Sequence, residues 1–381
     1  MDEEAYVLLL STSKRILERR YILKSSKKIV ICVLLIIISI ISLILINKNT
    51  NKTFKYKGST IALTIDGNSA TSFPASGKYN VTVNCNNAKG RWNPKTWKLE
   101  ITKITGTITC DVSFNSNVSN LTTVVNNKAT RDENGKRYQG KNPDNYVWFN
   151  DELWRIIGNI PVCLTSGCST TENRVKIIRN DSIGGLVYNT TSSSTWMGSN
   201  IQNLLNTCYL GKTSSCDSYC YSYSTSAKGT CDYSSDGIDA EDYYGKMVED
   251  VYFNVGAGDS TFKTAANYYT QEIATQATSA SKIGLMYASD WGYAIEGFTG
   301  VLGSAGSPQN SSDKNWLMSN GNEWTMSAYS SSNPLRAVNR GFLDYRSASD
   351  GYSIRPVLYL KSNVYVTGGT GTKVDPYRIG M

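Results

Sequence analysis

Residues 319–360 decide the fold of this chain and read SNGNEWTMSAYSSSNPLRAVNRGFLDYRSASDGYSIRPVLYL. Three anchors stand in this stretch: GNEWT at 321–325, VNRG at 338–341 and YSIRPVLYL at 352–360. The residues between the anchors are polar or aromatic and are interrupted by turn residues. Loops of this composition on a rigid sheet are where binding residues usually lie, so these segments are the first candidates for a recognition site.

The order of the anchors resembles the closing strands of the C-type-lectin-like fold, in the branch that includes formylglycine-generating enzymes and bacterial surface ligand-binding proteins. In that fold a Glu-Trp strand, an Arg-Gly turn and an Arg-ended final strand close one β-sheet around a recognition loop. The matching residues here are Glu323, Trp324, Arg340, Gly341 and Arg355. Because a buried Trp ring and a turn Gly are commoner than a ligand site, Trp324, Arg340, Gly341 and Arg355 are interpreted as structural.

Two patterns further upstream extend the resemblance. LWRIIG at 153–158 and IGLMY at 283–287 are similar to uncharacterised Firmicutes surface domains that share the lectin-like fold. The resemblance then covers about residues 120–360. It implies a C-type-lectin-like domain at 120–361, followed by a C-terminal strand or tail at 362–381, and it points to a recognition module on a bacterial cell surface.

The candidate ligand-binding residues lie between the closing anchors, where they would crown the sheet. They are Tyr329, Asn333, Asp344, Tyr345, Arg346, Ser347, Ser349 and Asp350. Any surface loop carries such residues, so a solvated loop without a ligand is the alternative. In that case the excursion between Cys208 and Cys231 is the next candidate.

Two departures from similar proteins limit the function. Formylglycine-generating enzymes work through cysteines near the end of their fold, whereas the last cysteine here is Cys231, well before Glu323. Calcium-dependent lectins use a Trp-Asn-Asp strand motif to supply oxygen ligands to the ion, and this sequence lacks that motif. Neither activity is carried over to this chain.

The chain contains no histidine. A Ser/His/Asp relay, a Cys/His pair and a His-ligated zinc site are therefore excluded. Only carboxylate, Lys, Tyr or Cys mechanisms would remain. We expect no metal and no cofactor, and the acidic residues Asp236, Asp239, Glu241 and Asp242 are interpreted as a solvated loop or as charges at a helix N-terminus.

Residues 29–46 form an apolar run without a charged residue, which at roughly 1.5 Å per residue nearly spans a ~30 Å hydrocarbon core. No small-x-small cleavage site follows, so the sequence predicts an uncleaved signal anchor. Basic residues in 1–28 favour a cytoplasmic N-terminal tail, and 47–57 would be a linker. We therefore expect a single-pass protein of the cell membrane with extracellular C-terminal domains.

Eight of the nine cysteines follow the apolar run, which suits disulfide bonds in an oxidising exterior. The predicted bridges are Cys85 with Cys110, Cys163 with Cys168, and two more within Cys208, Cys216, Cys220 and Cys231. Three pairings are possible among the last four. The oxidising context and the missing histidine favour disulfides over a metal or redox site at Cys216 and Cys220.

After the anchor the sequence predicts an α+β fold that begins with a small β-sandwich-like domain at 58–115. Four segments in it show strand-like alternation: 61–65, 79–85, 97–101 and 107–114. This domain is interpreted as a stalk, and the sequence does not show whether it binds anything.

The larger domain begins with a polar stretch, 116–144, that is linker-like at its start. The elements predicted after it are a hairpin at 146–158, a strand at 175–179, a helix at 200–209 and a second helix within 243–253 or 264–277.

The amino-acid composition limits the classes of partner that the protein can bind. The net charge is +8, but outside the first 28 residues no Lys/Arg cluster stands out, so we expect no nucleic-acid partner. Twenty-five Tyr against eight Phe fits a wet binding surface or a codon bias. The interpretation is a non-catalytic, membrane-anchored extracellular protein that binds an unknown protein or glycan in adhesion or surface recognition. The alternatives are an extracellular enzyme that acts on cell-wall glycan through carboxylates and a structural subunit of a surface assembly.

Overall fold

The fold is predominantly β. The structure is a computed structural model that describes residues 59–222, 229–303, 313–319, 321–338 and 341–381. Of the described residues, 36% are in β-strands and 12% in helices. Residues 60–104 and 109–381 make up one compact unit, which holds every helix and strand given below. The α+β class expected from the sequence is therefore wrong, because the helices are short connections between β-sheets.

No helix in the described residues is long and apolar enough to cross a membrane. The longest continuous helical stretch there, Asn200–Tyr209, has ten residues, which at about 1.5 Å per residue fall far short of a ~30 Å hydrocarbon core. The fold class that begins with a transmembrane helix is corrected accordingly. The predicted anchor at 29–46, the tail at 1–28 and the linker at 47–57 lie outside the described residues.

Six strands form the first part of the described chain. They are β1 Thr60–Ile65, β2 Asn68–Ser69, β3 Asn80–Asn86, β4 Lys89–Asn93, β5 Lys98–Thr102 and β6 Thr109–Asn115. Four of them make a sheet in the order β2-β1-β6-β3, and β4 pairs with β5. The four predicted strands are confirmed. The sequence pattern misses β4, because its residues KGRWN do not alternate between apolar and polar.

Fourteen further strands follow in the described residues. They are β7 Arg131–Asp132, β8 Lys136–Arg137, β9 Tyr146–Phe149, β10 Glu152–Cys163, β11 Thr171–Arg179, β12 Gly185–Val187, β13 Ile283–Gly284, β14 Glu323–Ala328, β15 Pro334–Val338, β16 Phe342–Tyr345, β17 Gly351–Ser353, β18 Val357–Leu360, β19 Tyr365–Gly368 and β20 Tyr377–Gly380. One sheet has the order β13-β18-β11-β10-β9-β20-β19, in which β10 also pairs with β8, and β8 pairs with β7. A five-stranded sheet has the order β12-β17-β14-β15-β16 and positions the candidate residues.

The predicted hairpin is formed by β9 and β10. Its turn residues Asn150 and Asp151 have φ of 53° and 60°, in the left-handed region that Asn and Asp tolerate better than other non-glycine residues. The predicted strand at 175–179 is the second half of β11, which pairs with β10. The C-terminal residues join the same sheet, because β20 runs parallel to β9 and pairs with β19.

Short helices connect the strands. In the described residues they are α1 Leu121–Lys128, α2 Asn200–Asn203 with a π-helical continuation Leu204–Tyr209, a 3-10 turn Gly245–Met247, α3 Ala265–Glu272 and α4 Ala288–Tyr293. The predicted helix at 200–209 is confirmed, and Ser199 caps it by accepting a hydrogen bond from the Gln202 amide. The second predicted helix is α3, in the later of its two windows. The sequence pattern misses α1, which buries only Leu121 and Val125.

Four disulfide bonds stabilise the unit, and the predicted pairs are confirmed. They join Cys85 to Cys110, Cys163 to Cys168, Cys208 to Cys216 and Cys220 to Cys231. The sequence leaves three pairings open among the last four cysteines. The structure shows the one that joins Cys208 to Cys216 and Cys220 to Cys231. The first bridge joins the neighbouring strands β3 and β6 at directly paired positions.

Candidate functional site

Two tyrosines meet at the edge of the five-stranded sheet. Tyr329 directly follows β14, and Tyr345 is the last residue of β16. Their rings stack in parallel, with 4.1 Å between the centroids and 4° between the planes. The Phe262 ring, in the loop before α3, lies 5.0 Å from Tyr329 and 6.2 Å from Tyr345. Tyr345 is 38% exposed, and we call these three rings the aromatic surface.

The strand β14, which leads to Tyr329, is held in place by the buried side chain of Trp324. The Trp324 side chain is fully buried, and its Nε1 donates a hydrogen bond of 3.0 Å to the Leu186 carbonyl oxygen. Its ring makes edge-to-face contacts with Tyr188 and Tyr352, at 5.8 and 4.9 Å between centroids. These contacts tie β14 to β12 and β17, so the base of the aromatic surface is rigid.

The turn after β14 is held from both sides. The Tyr329 amide donates to the Asn333 carbonyl oxygen at 2.9 Å, which closes the turn. The Ser260 amide donates to the Tyr329 carbonyl oxygen at 2.7 Å, and Ser194 Oγ donates to the Ser330 carbonyl oxygen at 2.5 Å. Gly258 allows this approach, because a Cβ there would lie 2.3 Å from the Tyr329 backbone. A surface held in this way loses little conformational entropy when it binds.

Charged residues flank the aromatic surface on β15 and β16. The Asp344 carboxylate accepts a hydrogen bond from Arg336 and forms an ion pair with Arg346, each at 3.1 Å. The Arg336 guanidinium is buried and lies 4.3 Å from the centroid of the Tyr352 ring. Arg346 is the exposed member of the group, with 46% of its side chain accessible. The structure therefore brings Tyr329, Tyr345, Asp344 and Arg346 together.

The other candidates have different positions. Asn333 contributes its backbone carbonyl to the turn after β14. Ser347, Ser349 and Asp350 form a separate turn between β16 and β17, in which the Ser347 and Ser349 hydroxyls are 2.8 Å apart and the Asp350 amide donates to the Ser347 carbonyl oxygen. Arg340 lies outside the described residues, and Gly341 has a φ of +87° at the start of β16.

Sequence reasoning misses Phe262 and a cavity beside the same turn. The cavity has a volume of about 230 Å³, and its wall includes Trp196, Met197, Val255 and Met326. Its residues come from loops that are far apart in the chain, so no local pattern identifies them. The turn after β14 thus separates an exposed aromatic surface from a mostly apolar recess.

A buried ionic cluster in the core consists of Asp290, Arg137 and Lys176. Asp290 of α4 accepts from Arg137 Nη1 at 2.7 Å and from Lys176 Nζ at 2.5 Å. Burial raises the pKa of Asp290, but the two positive charges outweigh it and hold the pKa below its ordinary value of 3.8. Burial lowers the pKa of Lys176. The three side chains are at most 1% exposed, so the cluster is structural.

Glu272 of α3 lies near this cluster and shows the opposite shift. Its carboxyl group accepts from the Ser289 hydroxyl and amide and from the Ser327 hydroxyl. Burial raises the pKa of Glu272 above its ordinary value of 4.5. Two carboxyl groups with opposite pKa shifts are typical of acid–base enzymes. Glu272 and Asp290 are only 3% and 1% exposed, however, so a substrate cannot reach them in this structure.

Within the described residues, no group of three or more Cys, Asp or Glu side chains is arranged to hold a metal ion. In the described residues, the exposed edge of the five-stranded sheet presents aromatic rings, hydroxyl groups and the ion pair of Arg346 with Asp344.

Comparisons of the chain with models of known protein families, with curated proteins and with solved structures gave no match. The functional interpretation therefore rests on the geometry of the site.

Proposed function

We propose that this protein is an extracellular binding protein that recognises its ligand through the aromatic surface of Phe262, Tyr329 and Tyr345. The observation that carries the proposal is the parallel stack of Tyr329 and Tyr345 on a rigid turn, with Tyr345 still 38% exposed. Tyr offers a large contact area at a low cost in conformational entropy, and its hydroxyl group stays compatible with water. A rigid, exposed pair of such rings is suited to a partner.

Arg346 and Asp344 extend this surface. Arg346 is exposed and paired with Asp344, so its guanidinium is oriented before a ligand arrives. Tyr and Arg are the residue types most enriched among those that dominate binding energy. The ligand that we propose is an extracellular glycan or protein that places an apolar face on the rings and a hydrogen-bond acceptor near Arg346.

The extracellular location rests on the four disulfide bonds, since such bonds persist in oxidising environments and are rare in the cytosol. The resemblance of residues 319–360 to the closing strands of C-type-lectin-like proteins supports the same role, because that fold presents recognition loops on a rigid sheet.

A glycan and protein array probed with the purified, oxidised chain tests the proposal. We expect capture of a ligand by the wild type and loss of that capture in Tyr345→Ala. The control is Val374→Ala, which removes an apolar side chain that is more exposed than Tyr345, in the C-terminal turn and away in sequence from the aromatic surface. Capture that persists in Tyr345→Ala contradicts the proposal.

A further inference from the structure

A second cavity, of about 390 Å³, lies between β10, the loop after β11 and the segment that leads into β14. Its volume falls in the range of roughly 300–1,000 Å³ that is typical of small-molecule sites. Its wall is polar and holds two guanidinium groups. The wall includes Arg155, Asp181, Trp316, Glu323, Ser353 and Arg355.

Arg155 is buried, and no described residue supplies a counter-charge to it. Its side chain is sandwiched between the rings of Tyr146 and Trp316, at 4.2 and 4.5 Å from the guanidinium carbon. Nε and Nη2 donate to Asn145 Oδ1 at 3.0 and 2.7 Å. Nη1 makes only a long contact of 3.4 Å with the Trp316 carbonyl oxygen. Among the described residues, no carboxylate lies within ion-pair distance of Arg155, although the residue is only 6% exposed.

Arg355 supplies a second guanidinium to the same wall. Its Nε donates to both oxygens of Glu323, at 2.8 and 3.0 Å, and its Nη2 donates to the Leu317 carbonyl oxygen at 2.6 Å. Its Nη1 donates to no described residue. Glu323 thus neutralises Arg355, and the charge of Arg155 is left over in the depth of the cavity. The Asp181 carboxylate lies at the exposed mouth.

This leftover charge has an energetic cost. Burial and the nearby charge of Arg355 lower the pKa of Arg155 to about 10, so the group stays protonated at neutral pH. A buried cation is normally paired, because removal from water is unfavourable. The two ring faces and the long contacts with the Trp316 and Pro143 carbonyl oxygens offset part of that cost, and an anion bound at the second N–H of Nη1 would offset more.

We propose that this cavity binds a small monoanion whose carboxylate pairs with Arg155 and whose hydroxyl groups meet Asp181 and Ser353, as in an acidic monosaccharide. The second N–H of Arg155 Nη1, which otherwise makes one long contact, and the Nη1 of Arg355 offer the N–H donors that a carboxylate accepts. Asp181 at the mouth repels a second negative charge and accepts hydrogen bonds from hydroxyl groups. This site is distinct from the aromatic surface, and the inference does not depend on the function proposed for that surface.

Calorimetric titration of the purified chain with D-glucuronate, its uncharged methyl ester and D-glucose tests the inference. We expect the acid to bind at least tenfold more tightly than the ester or glucose, because only the acid pairs with Arg155. Arg155→Gln removes the charge and should weaken binding of the acid at least tenfold. Arg346→Gln removes an arginine of the other site and should leave that binding unchanged.

Equal binding of acid and ester by the wild type, or no detectable binding of the acid, overturns the inference. This comparison needs no variant, so it decides the matter even if Arg155→Gln fails to fold. If Arg155→Gln folds and binds the acid as the wild type does, the assignment of Arg155 is wrong. A loss of array ligand in Tyr345→Ala with unchanged glucuronate binding shows that the two sites are separate.

Discussion

Tyr329 and Tyr345 stack face to face with 4.1 Å between their ring centroids, although β15 separates their strands in the sheet. Tyr329 follows β14, and Tyr345 pairs with Leu335 on β15. An aromatic pair of this kind contributes about 0.5–1.5 kcal/mol beyond the burial of its area. The stack therefore stabilises the turn after β14 and at the same time presents a ring to solvent.

Replacement of Trp324 by Ala should destabilise the unit by about 3–5 kcal/mol, since it removes a fully buried ring and its hydrogen bond to Leu186. Tyr345→Ala should cost about 1 kcal/mol, because it removes only the ring contacts with Tyr329 and Phe262 from a partly exposed position. Chemical denaturation of both variants measures the difference. A Trp324→Ala protein as stable as Tyr345→Ala would show that the ring does not support β14.

Asp290→Asn should cost about 3–5 kcal/mol, because it leaves the buried cations Arg137 and Lys176 without their common counter-charge. Asp132→Asn is the matched control, since Asp132 makes an exposed ion pair with Lys136. Exposed pairs contribute about 0–1 kcal/mol. Equal unfolding free energies for the two variants would contradict the structural role of the buried cluster.

Glu272 should make the unit less stable as the pH rises. The folded-state pKa of Glu272 is raised above 4.5, so the fold retains a proton that the unfolded chain gives up near that value. Its stabilising contribution is fully present below pH 4.5 and is lost as the pH rises through the folded pKa. Glu272→Gln should remove this part of the pH dependence while keeping hydrogen bonds to Ser289 and Ser327.

Unfolding free energies of Glu272→Gln and wild type across pH 4 to 8 measure this effect, with Glu296→Gln as a control at an exposed carboxylate. The wild type should lose stability relative to Glu272→Gln with rising pH, and Glu296→Gln should follow the wild type. Parallel curves for Glu272→Gln and wild type would show that Glu272 ionises in the fold as it does in water.

Simultaneous replacement of Cys85 and Cys110 by Ser should lower stability by about 2–4 kcal/mol, because the bridge constrains the unfolded chain. Non-reducing peptide mapping should also recover Cys208 with Cys216 and Cys220 with Cys231. Recovery of Cys208 with Cys231 in the native protein would contradict the fold of this excursion.

Local patterns explain what the sequence could predict. The hairpin of β9 and β10, the helix at 200–209 and the bridge between Cys85 and Cys110 each depend on alternation, helical spacing or closeness in the chain. The α+β class fails because helix-like stretches remain short where sheets dominate: α3, for example, covers only Ala265–Glu272 of the predicted window 264–277.

The geometry of the candidate site also depends on the order of the strands in the five-stranded sheet. The sequence places Tyr329 and Tyr345 in one candidate segment, but their stack depends on the order β14-β15-β16, which no spacing rule supplies. Phe262 and the unpaired charge of Arg155 depend on contacts between distant parts of the chain, so they become visible only in the folded structure.

The affinity of Tyr345→Ala for the array ligand tests the central claim most directly. The aromatic surface predicts a loss of about 2 kcal/mol or more, or roughly 30-fold, relative to wild type. Tyr345→Phe, which keeps the stack, should retain most of the affinity, and Val374→Ala should retain all of it. Wild-type affinity in a folded Tyr345→Ala would contradict the assignment of this surface.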